Sequence, residues 1–236
     1  MRVQLHRALS KLGWGSRKQA WEWISAGEVR VDGRVVRDPL AWVDLEAQRV
    51  TRGGVEKGPV LRRVIALHKP RGVLTTRSDE KGRRTVYDLL PGEEAWVFPA
   101  GRLDADSEGL LVMTNDAKLA ERLTEPDQHV PKTYRVTVRG SAGDEWVQAL
   151  AAGVELDDGR TRPCEVRLVE RTRARTVVEM VLREGRNRQI RRMWEVAGHR
   201  VTRLVRVAIG ALELGALPAG EHRELTPGEV ERLTQG

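Results

Sequence analysis

The sequence has one cysteine, few phenylalanines and tyrosines, and no long apolar run. The single cysteine, Cys164, excludes an internal disulfide and a zinc cluster built on cysteines. No apolar stretch approaches the roughly 20 residues that a membrane-spanning helix needs. The opening stretch, MRVQLHRALSKLGWGSRK, lacks the apolar core of a secretion signal. These absences predict a cytoplasmic protein that does not enter a membrane.

Cofactor-binding patterns are also missing from the sequence. The histidines do not show the spacing of metal ligands, and they are His6, His68, His129, His199 and His222. Neither a phosphate-binding Walker loop nor the glycine pattern of a dinucleotide-binding turn occurs. We therefore predict no metal ion, nucleotide or flavin cofactor.

The composition and the charge distribution indicate a folded protein with a basic N-terminal part. Hydrophobic residues make up 40% and charged residues 32% of the 236 residues, which is typical of a globular protein. The net charge is +7, and residues 1–63 hold 13 basic and 7 acidic residues, against 28 and 27 in the remainder. This asymmetry indicates a module that binds a polyanion beside a nearly neutral body. A basic surface that only keeps the protein soluble is the alternative.

The N-terminal part reads as two helices followed by a hairpin. Apolar spacing predicts a helix over residues 2–12, and Ser16 is a candidate N-cap for a second helix that ends at Gly27. Asp32-Gly33 between valine-rich stretches predicts a tight hairpin. The candidate basic face of this unit contains Arg17, Lys18, Arg30 and Arg34.

The sequence predicts a linker between two domains at residues 51–59, TRGGVEKGP. This segment has glycine, proline and mixed charges but no apolar periodicity. The predicted domains are therefore 1–59, which includes the linker, and 60–236. In the second domain, candidate strands outnumber candidate helices and do not alternate regularly with them. This pattern favours an α+β domain with a mixed, mainly antiparallel sheet and flanking helices.

The segment GRLDADSEGLLVMTND, residues 101–116, concentrates charged residues in a turn between two apolar stretches. Arg102, Asp104, Asp106 and Glu108 lie within seven residues. A solvated acidic loop is one interpretation. A calcium loop is disfavoured because the twelve-residue pattern is missing, and glycoside hydrolysis needs carboxylates at set separations, which a sequence does not show.

A resemblance to a known family narrows these alternatives. GRLDADSEGLL resembles the signature of the RsuA/RluB group of ribosomal RNA pseudouridine synthases. LHKPRGVLTT, KTYRV, EGRNRQIRRM and GEHRELTPGEVERL resemble further family motifs, in order, over residues 64–230. GSRKQAWEWISAGEVRVDGRVV resembles the S-four RNA-binding domain, a small helix-helix-hairpin unit that many members of this group carry at the N-terminus.

The resemblance implies an isomerase that converts a uridine of ribosomal RNA to pseudouridine without a cofactor. DEKGRRTVYDLLP and the ELTPGEV ending resemble the branch acting on large-subunit (23S) RNA, that of RluB, more than the small-subunit (16S) branch, that of RsuA. The implied partner is ribosomal RNA or a pre-ribosomal particle, with no obligatory protein partner, and the expected state is a monomer. A non-catalytic factor for ribosome assembly is the alternative from another class.

The family motifs also imply roles for individual residues. Asp104 is the expected catalytic carboxylate, which attacks C1′ or C6 or removes the 2′-proton of the ribose. Arg191 is expected to form an ion pair with Asp104, and the alternative is that it contacts the RNA backbone. Tyr134 is expected to stack on the uracil, and the alternative is that it is a core tyrosine. Expected substrate contacts are Arg102, which fills the gap left by the flipped base, Leu204 and Lys132. Expected contacts to RNA phosphates are Arg17, Lys18, Arg30, Arg34, Lys69, Arg71, Arg186, Arg188 and Arg192.

Overall fold

The structure, a computed structural model, describes residues 2–57, 61–90, 97–125, 128 and 130–235. The chain divides into two compact units. Among the described residues, 2–63 with Val97 and Phe98 form the first unit, and 64–90 with 99–235 form the second. The predicted boundary between residues 59 and 60 falls where residues 58–60 lie outside the described ones, so it stays a prediction.

The first unit contains two short helices and two small sheets. Its elements are β1 (Arg2–Gln4), α1 (Leu5–Lys11), α2 (Arg17–Ala26), β2 (Val29–Val31), β3 (Arg34–Val35), β4 (Trp42–Asp44), β5 (Val50–Arg52) and β6 (Val55–Glu56). β1 pairs with β4, and the other sheet has the order β3-β2-β5-β6. The helices bury Leu5, Leu9 and Ile24 against Val29 and Val50 of the second sheet.

The local signals predicted for this unit are confirmed. The hydroxyl of Ser16 accepts the Gln19 amide hydrogen, and the Gln19 side chain accepts from the Ser16 amide, which forms a capping box. Gly27 ends α2 in the left-handed conformation, with φ +80°. Asp32 and Gly33 both have positive φ between β2 and β3, as a tight hairpin turn requires.

Two sequence-based expectations for this unit are wrong. Residues 2–4 form strand β1 instead of a first helical turn, because they pair with β4 at Arg2–Asp44, Val3–Val43 and Gln4–Trp42. The start of the expected linker is a hairpin of β5 and β6, turning at Gly53 and Gly54. These strands have three and two residues, too few to show an alternating pattern.

The second unit is built on one large sheet. Its strands are β7 (Val64–Lys69), β8 (Phe98–Pro99), β9 (Glu108–Thr114), β10 (Lys132–Arg139), β13 (Glu165–Arg171), β14 (Arg175–Leu182), β15 (Val201–Ile209), β16 (Leu212–Glu213) and β17 (His222–Glu224). β11 (Glu155–Leu156) and β12 (Gly159–Arg160) form a separate hairpin. The helices are a 3-10 turn at Val86–Leu89, α3 (Ala117–Thr124), α4 (Asp144–Ala152), α5 (Gln189–Val196) and α6 (Pro227–Arg232).

The strand order of this sheet is β13-β14-β10-β15-β9-β7-β17, with β16 on β15 and β8 on β9. β9 and β15 run parallel, and the other pairs along this order are antiparallel. The predicted α+β class with a mixed, mainly antiparallel sheet is therefore confirmed. In the stretch AWVFPAGRL, residues 95–103, only Phe98–Pro99 is a strand among the described residues.

The core that supports the functional half of the sheet lies under α5. Ile190, Met193 and Trp194 of this helix are buried against Val178 and Leu204 of the sheet. The spacing of Ile190, Met193 and Trp194 explains why α5 turns an apolar face inward. Arg191 is buried beside this face, while Arg192 stays partly exposed. Within the described residues, no helix is long and apolar enough to cross a membrane.

Candidate active site

A cavity of about 500 Å³ opens in the second unit, and the family motifs converge on it. Its lining includes seven residues singled out in the sequence, which are Arg102, Asp104, Lys132, Tyr134, Arg186, Arg188 and Leu204. They come from the turn before β9, from β10, from the residues just before α5 and from β15. The fold thus brings together four segments that are distant in sequence.

The turn that carries Asp104 is held by the segment 69–75, which follows β7. The Thr75 hydroxyl donates to the Leu103 carbonyl at 2.8 Å, and the Gly72 amide donates to the Ala105 carbonyl at 2.6 Å. The Lys69 ammonium donates to the Ser107 carbonyl at 2.8 Å. These bonds fix the backbone on both sides of Asp104, so its position depends little on the side chain itself.

Gly109 allows the turn to enter the sheet. It has φ +113° and pairs with Arg206 of β15, and a Cβ there would lie 2.3 Å from the Arg206 carbonyl oxygen. Only glycine fits both the conformation and the close approach. The glycine of the S-x-G-L-L pattern therefore sets the position of the turn relative to β15.

Of the three acidic side chains in this turn, only Asp104 lines the cavity. Asp106 accepts two hydrogen bonds from Arg188, both 3.0 Å long. Glu108 pairs with Arg203. Asp104 is about one-third exposed, and the Arg188 guanidinium lies 3.8 Å from its carboxylate.

The predicted ion pair between Arg191 and Asp104 is wrong. Arg191 is buried and donates to the main-chain carbonyls of Asp106, at 2.8 Å, and Val201, at 3.3 Å. Its Nε lies 3.3 Å from the Asp106 carboxylate. The sequence shows three acidic residues in the turn but not which of them faces α5. Burial works to raise the pKa of Asp106, but its hydrogen bonds with Arg188 and the charge of Arg191 outweigh burial and lower that pKa.

Tyr134 and Leu204 lie on neighbouring strands at the cavity wall. Tyr134 is half-buried and pairs across the ladder with Arg206, while Leu204 is 6% exposed and pairs with Val136. Leu204 and Arg206 are two residues apart on β15, so both side chains face the cavity. Tyr134 therefore lies at a cavity surface, and Leu204 is part of both the core and the cavity wall.

Two cavity-lining groups were missed in the sequence. Arg206 is 4% exposed, and its Nε donates to the Leu110 carbonyl at 2.7 Å. Ser107 is 2% exposed. Arg206 could have been found from the strand alternation in VTRLVRVAI, because it shares a face with Leu204. Ser107 is the serine of the S-x-G-L-L pattern, but the sequence alone predicted no role for it.

The structure contradicts the expectation that Lys69 contacts RNA phosphates. Lys69 is fully buried at the end of strand β7, and its ammonium donates to the carbonyls of Pro70 and Ser107. Burial lowers its pKa to about 8, although Asp104, Asp106 and Glu108 act in the opposite direction. Lys69 is therefore a brace for the turn and does not reach solvent.

The arginines of the third motif are also engaged within the protein instead of being free for phosphates. Arg186 donates to the carbonyls of Gly159 and Arg160 at 2.7 and 2.6 Å. Arg192 makes a two-pronged pair with Asp158, at 2.8 and 3.0 Å. Both therefore fasten the β11–β12 hairpin to the region of α5, while Arg188 holds Asp106.

The remaining predicted RNA contacts lie at the surface. Arg71 is exposed beside the segment that braces the turn, and Arg102 is an exposed residue of the cavity rim. Arg17, Lys18, Arg30 and Arg34 are exposed on the first unit, and Arg30 donates to the Gly33 carbonyl at 3.0 Å. Their positions are compatible with RNA contacts, and these roles stay predictions. Among the described residues, no group of three or more His, Cys, Asp or Glu side chains is arranged to hold a metal ion.

Comparison with known proteins identifies the family. Residues 63–195, more than half of the chain, match the model of the RNA pseudouridylate synthase family. The chain belongs to this family. It is therefore an enzyme, an isomerase that converts uridine in RNA to pseudouridine. Residues 4–39 match the model of the S4 domain, an RNA-binding module, in agreement with the sequence-based prediction.

Relatives match this synthase over nearly its whole length. The ribosomal large subunit pseudouridine synthase B of Bacillus subtilis is 38% identical over 98% of this chain and 95% of its own. The protein of that name from Vibrio cholerae is 38% identical over 100% of this chain and 75% of its own. A crystal structure of a pseudouridylate synthase is 27% identical and covers 98% of this chain and 99% of its own, with a TM-score of 0.71.

Proposed function

We propose that this synthase converts one specific uridine of large-subunit ribosomal RNA to pseudouridine in the cavity beside Asp104. The main support for this location is that Asp104 is the only one of the three acidic side chains of the turn that lines the cavity. Tyr134 and Leu204 line the same cavity. The choice of large-subunit RNA rests on the relatives from Bacillus subtilis and Vibrio cholerae, whose names state that target.

The geometry supports a reaction on a base removed from its helix. A uridine inside an RNA helix does not expose C1′ and C5 to a side chain, so the nucleotide must turn out into the cavity. Tyr134 offers a flat face on which uracil stacks, and Leu204 provides an apolar contact beside it. Arg102, at the exposed rim, fills the space that the flipped base leaves.

Asp104 performs the central step in this proposal. It reacts as a carboxylate, either by bonding to C1′ or C6 or by removing the 2′-proton. The N1–C1′ bond breaks and the base turns. C5 then bonds to C1′ while the bond to Asp104 breaks or the 2′-proton returns to C2′, the C5 proton leaves, and N1 gains a proton. The Arg188 guanidinium lies 3.8 Å from the Asp104 carboxylate, so the two groups form a long ion pair at the cavity. The reaction involves no net oxidation or hydrolysis, so the proposal needs no cofactor.

The two units have separate roles in this proposal. Residues 1–59 bind ribosomal RNA or a pre-ribosomal particle through exposed cations, and residues 60–236 isomerise the uridine. The enzyme acts as a monomer in the cytoplasm, without a protein partner. A 16S target is not favoured because the named relatives act on the large subunit. A non-catalytic role in ribosome assembly is not favoured because the residues that line the cavity are those the chemistry needs.

Pseudouridine mapping tests this proposal directly. Ribosomal RNA is compared between cells with and without the gene, and purified enzyme is offered 23S and 16S transcripts in parallel. We expect one pseudouridine to disappear from 23S RNA in the deleted strain and the same position to be modified in vitro. Modification of 16S RNA alone would reject the target, and absence of any modification would reject the catalytic proposal.

A further inference from the structure

Arg206 is a buried cation with unused hydrogen-bonding capacity. Its Nη2 is buried and has no hydrogen-bond partner within the described residues. Its Nε donates to the Leu110 carbonyl at 2.7 Å, and the residue belongs to the lining of the cavity. A buried charged donor without an acceptor costs free energy comparable to several hydrogen bonds. Such an arrangement is kept where a ligand supplies the missing acceptor.

Lys132 brings a second positive charge to the same cavity. It lies on β10, two residues before Tyr134, and lines the cavity with Arg206. Burial, followed by the nearby charge of Arg206, lowers the pKa of Lys132 to about 8. The Ser107 hydroxyl, also buried and without a partner among the described residues, is a third donor in the lining. The cavity wall thus has two cations and a hydroxyl.

We propose, on the basis of the proposed function, that Arg206 and Lys132 bind the uracil oxygens and stabilise the negative charge that develops on the base when its N1–C1′ bond breaks. The position favours the base over a phosphate. Arg206 pairs across the ladder with Tyr134 and lies two residues from Leu204, the two predicted contacts of the uracil ring. A phosphate of the same nucleotide belongs at the open rim, where Arg102 is exposed.

The electron balance of the reaction explains why cations are useful there. When N1–C1′ breaks, the bonding pair stays on uracil and spreads from N1 onto O2 and O4, which makes the base an anion. C1′ either bonds to the Asp104 oxygen or joins C2′ by a double bond when Asp104 removes the 2′-proton. An electron pair of the base then forms the C5–C1′ bond as the C1′–Asp104 bond breaks or the 2′-proton returns to C2′; C5 loses its proton and N1 gains one. If Asp104 instead attacks C6, the electrons of the C5–C6 double bond reach O4, and the Asp104–C6 bond breaks after C5 has joined C1′.

Donors aimed at a charge that exists only during reaction lower the barrier more than they strengthen binding. Removal of one such donor typically lowers the rate by about 10²–10³-fold. We therefore expect Arg206→Gln to reduce the single-turnover rate at saturating enzyme by about that factor, with RNA affinity changed less than about three-fold. Arg206→Lys keeps the charge, and we expect it to recover part of the rate. Arg135→Gln, an exposed arginine of β10 paired with Glu179, is the matched control and keeps the normal rate.

Sulfur substitution of the RNA identifies the group that Arg206 binds. Target RNAs carry 2-thiouridine, 4-thiouridine or a phosphorothioate at the target position. If Arg206 contacts a base oxygen, the effect of sulfur at O2 or O4 on the saturated rate differs by about ten-fold or more between wild type and Arg206→Gln. We expect the same effect of sulfur in wild type and Arg135→Gln. Coupling of Arg206 to the phosphorothioate instead would overturn the proposal in favour of a phosphate site.

The outcomes separate this inference from the proposed function. If wild type modifies its RNA and Arg206→Gln has a normal saturated rate, the anion-binding role is wrong and the synthase proposal stands. If wild type modifies no ribosomal RNA, the proposed function itself fails. Should Arg206→Gln lose its fold, as judged by thermal unfolding, Lys132→Gln is measured with the same RNAs, because Lys132 is only half-buried. A normal rate and no coupling in that variant would equally reject the proposal.

Discussion

Asp104 differs from its two acidic neighbours in how its charge is neutralised. Asp106 is held by Arg188 and Arg191, and Glu108 by Arg203, whereas the ion pair of Asp104 with Arg188 is 3.8 Å long. A carboxylate fully bonded to arginine is a poor nucleophile or base, because its lone pairs are occupied. The turn thus uses two acids for structure and leaves the third available for chemistry.

We predict that Asp104→Asn lowers the saturated single-turnover rate by about 10³-fold or more, because the amide is neither a nucleophile nor a base. RNA affinity should stay within a few-fold, since the cavity keeps its shape. Tritium release from RNA labelled at C5 of uridine measures the rate. The control is Asp157→Asn, an exposed acid in the β11–β12 turn. Substantial release by folded Asp104→Asn enzyme would remove Asp104 from the mechanism.

A substitution at Gly109 tests how closely the turn approaches β15. We predict that Gly109→Ala loses more stability than Gly159→Ala by about 2 kcal/mol or more, because strained backbone costs about 1–3 kcal/mol at either site, while only Gly109 adds a clash. A Cβ at Gly109 would meet the Arg206 backbone at 2.3 Å, and nothing lies within 4 Å of one at Gly159. Both glycines have positive φ, at +113° and +97°. Urea unfolding compares the two, and equal losses would contradict the close approach.

At the scale of elements, α5 holds the turn that carries Asp104 in place. Arg191 joins the helix to the Asp106 carbonyl and to the Val201 carbonyl of β15, and Arg188 grips the Asp106 carboxylate. Arg188 has φ +49°, a conformation that non-glycine residues adopt rarely, and such strain is often found at functional sites. The helix therefore sets the orientation of the turn without itself providing the reacting group.

We predict that Arg191→Ala lowers the saturated rate by about 100-fold, because a displacement of about 1 Å at a catalytic group can cost that much. It should also lower the free energy of unfolding by about 2 kcal/mol, the typical value of a hydrogen bond to a charged group. Arg192→Ala, on the same helix but paired with exposed Asp158, is the control for losing an arginine from α5. Near-normal turnover by Arg191→Ala would show that the contacts of Arg191 with the turn are not needed for activity.

The elements that could be predicted from the sequence are those with strong local signals. Ser16 and Gly27 mark both ends of α2, and Asp32-Gly33 marks a hairpin, because caps and tight turns need particular residues. β1 and the β5–β6 hairpin were missed, because strands of two or three residues are set by their partners and not by their own pattern.

In the candidate site, likewise, residues within the motifs could be predicted from the sequence, but contacts between distant segments could not. The motifs indicated Asp104, Tyr134 and Leu204, and the structure places all three at one cavity. The ion-pair partners were not predictable, because choosing between Asp104 and Asp106 for Arg191 depends on side-chain directions across 85 residues. Lys69 looked like a surface cation because its burial depends on the turn that it braces, whose Ser107 lies 38 residues further along the chain.

At the scale of the whole molecule, the positive charge and the chemistry belong to different units. Residues 1–63 account for most of the net charge of +7, with 13 basic and 7 acidic residues. In the catalytic unit, many arginines are used in pairs within the protein, among them Arg186, Arg188 and Arg192. The first unit therefore has the excess of positive charge that favours binding to phosphates.

We predict that replacing Arg17, Lys18, Arg30 and Arg34 by glutamine weakens RNA binding and leaves the saturated rate normal. Each lost phosphate contact should make the slope of log affinity against log salt shallower by about 0.7–0.9. Fluorescence anisotropy over a salt series measures the slope. A control with the same change in charge replaces four exposed arginines of the catalytic unit, Arg122, Arg139, Arg173 and Arg175. An equal change of slope in both variants would assign no special role to the first unit.

The order of strands in the large sheet has a consequence for synthesis on the ribosome. β7, which begins at Val64, pairs with β17 at residues 222–224, and the turn bearing Asp104 needs β15, which ends at Ile209. The catalytic cavity therefore forms only after almost all of the chain has been translated. The first unit is complete much earlier, and N-terminal domains generally fold first during synthesis. A nascent chain thus acquires its RNA-binding unit well before it acquires activity.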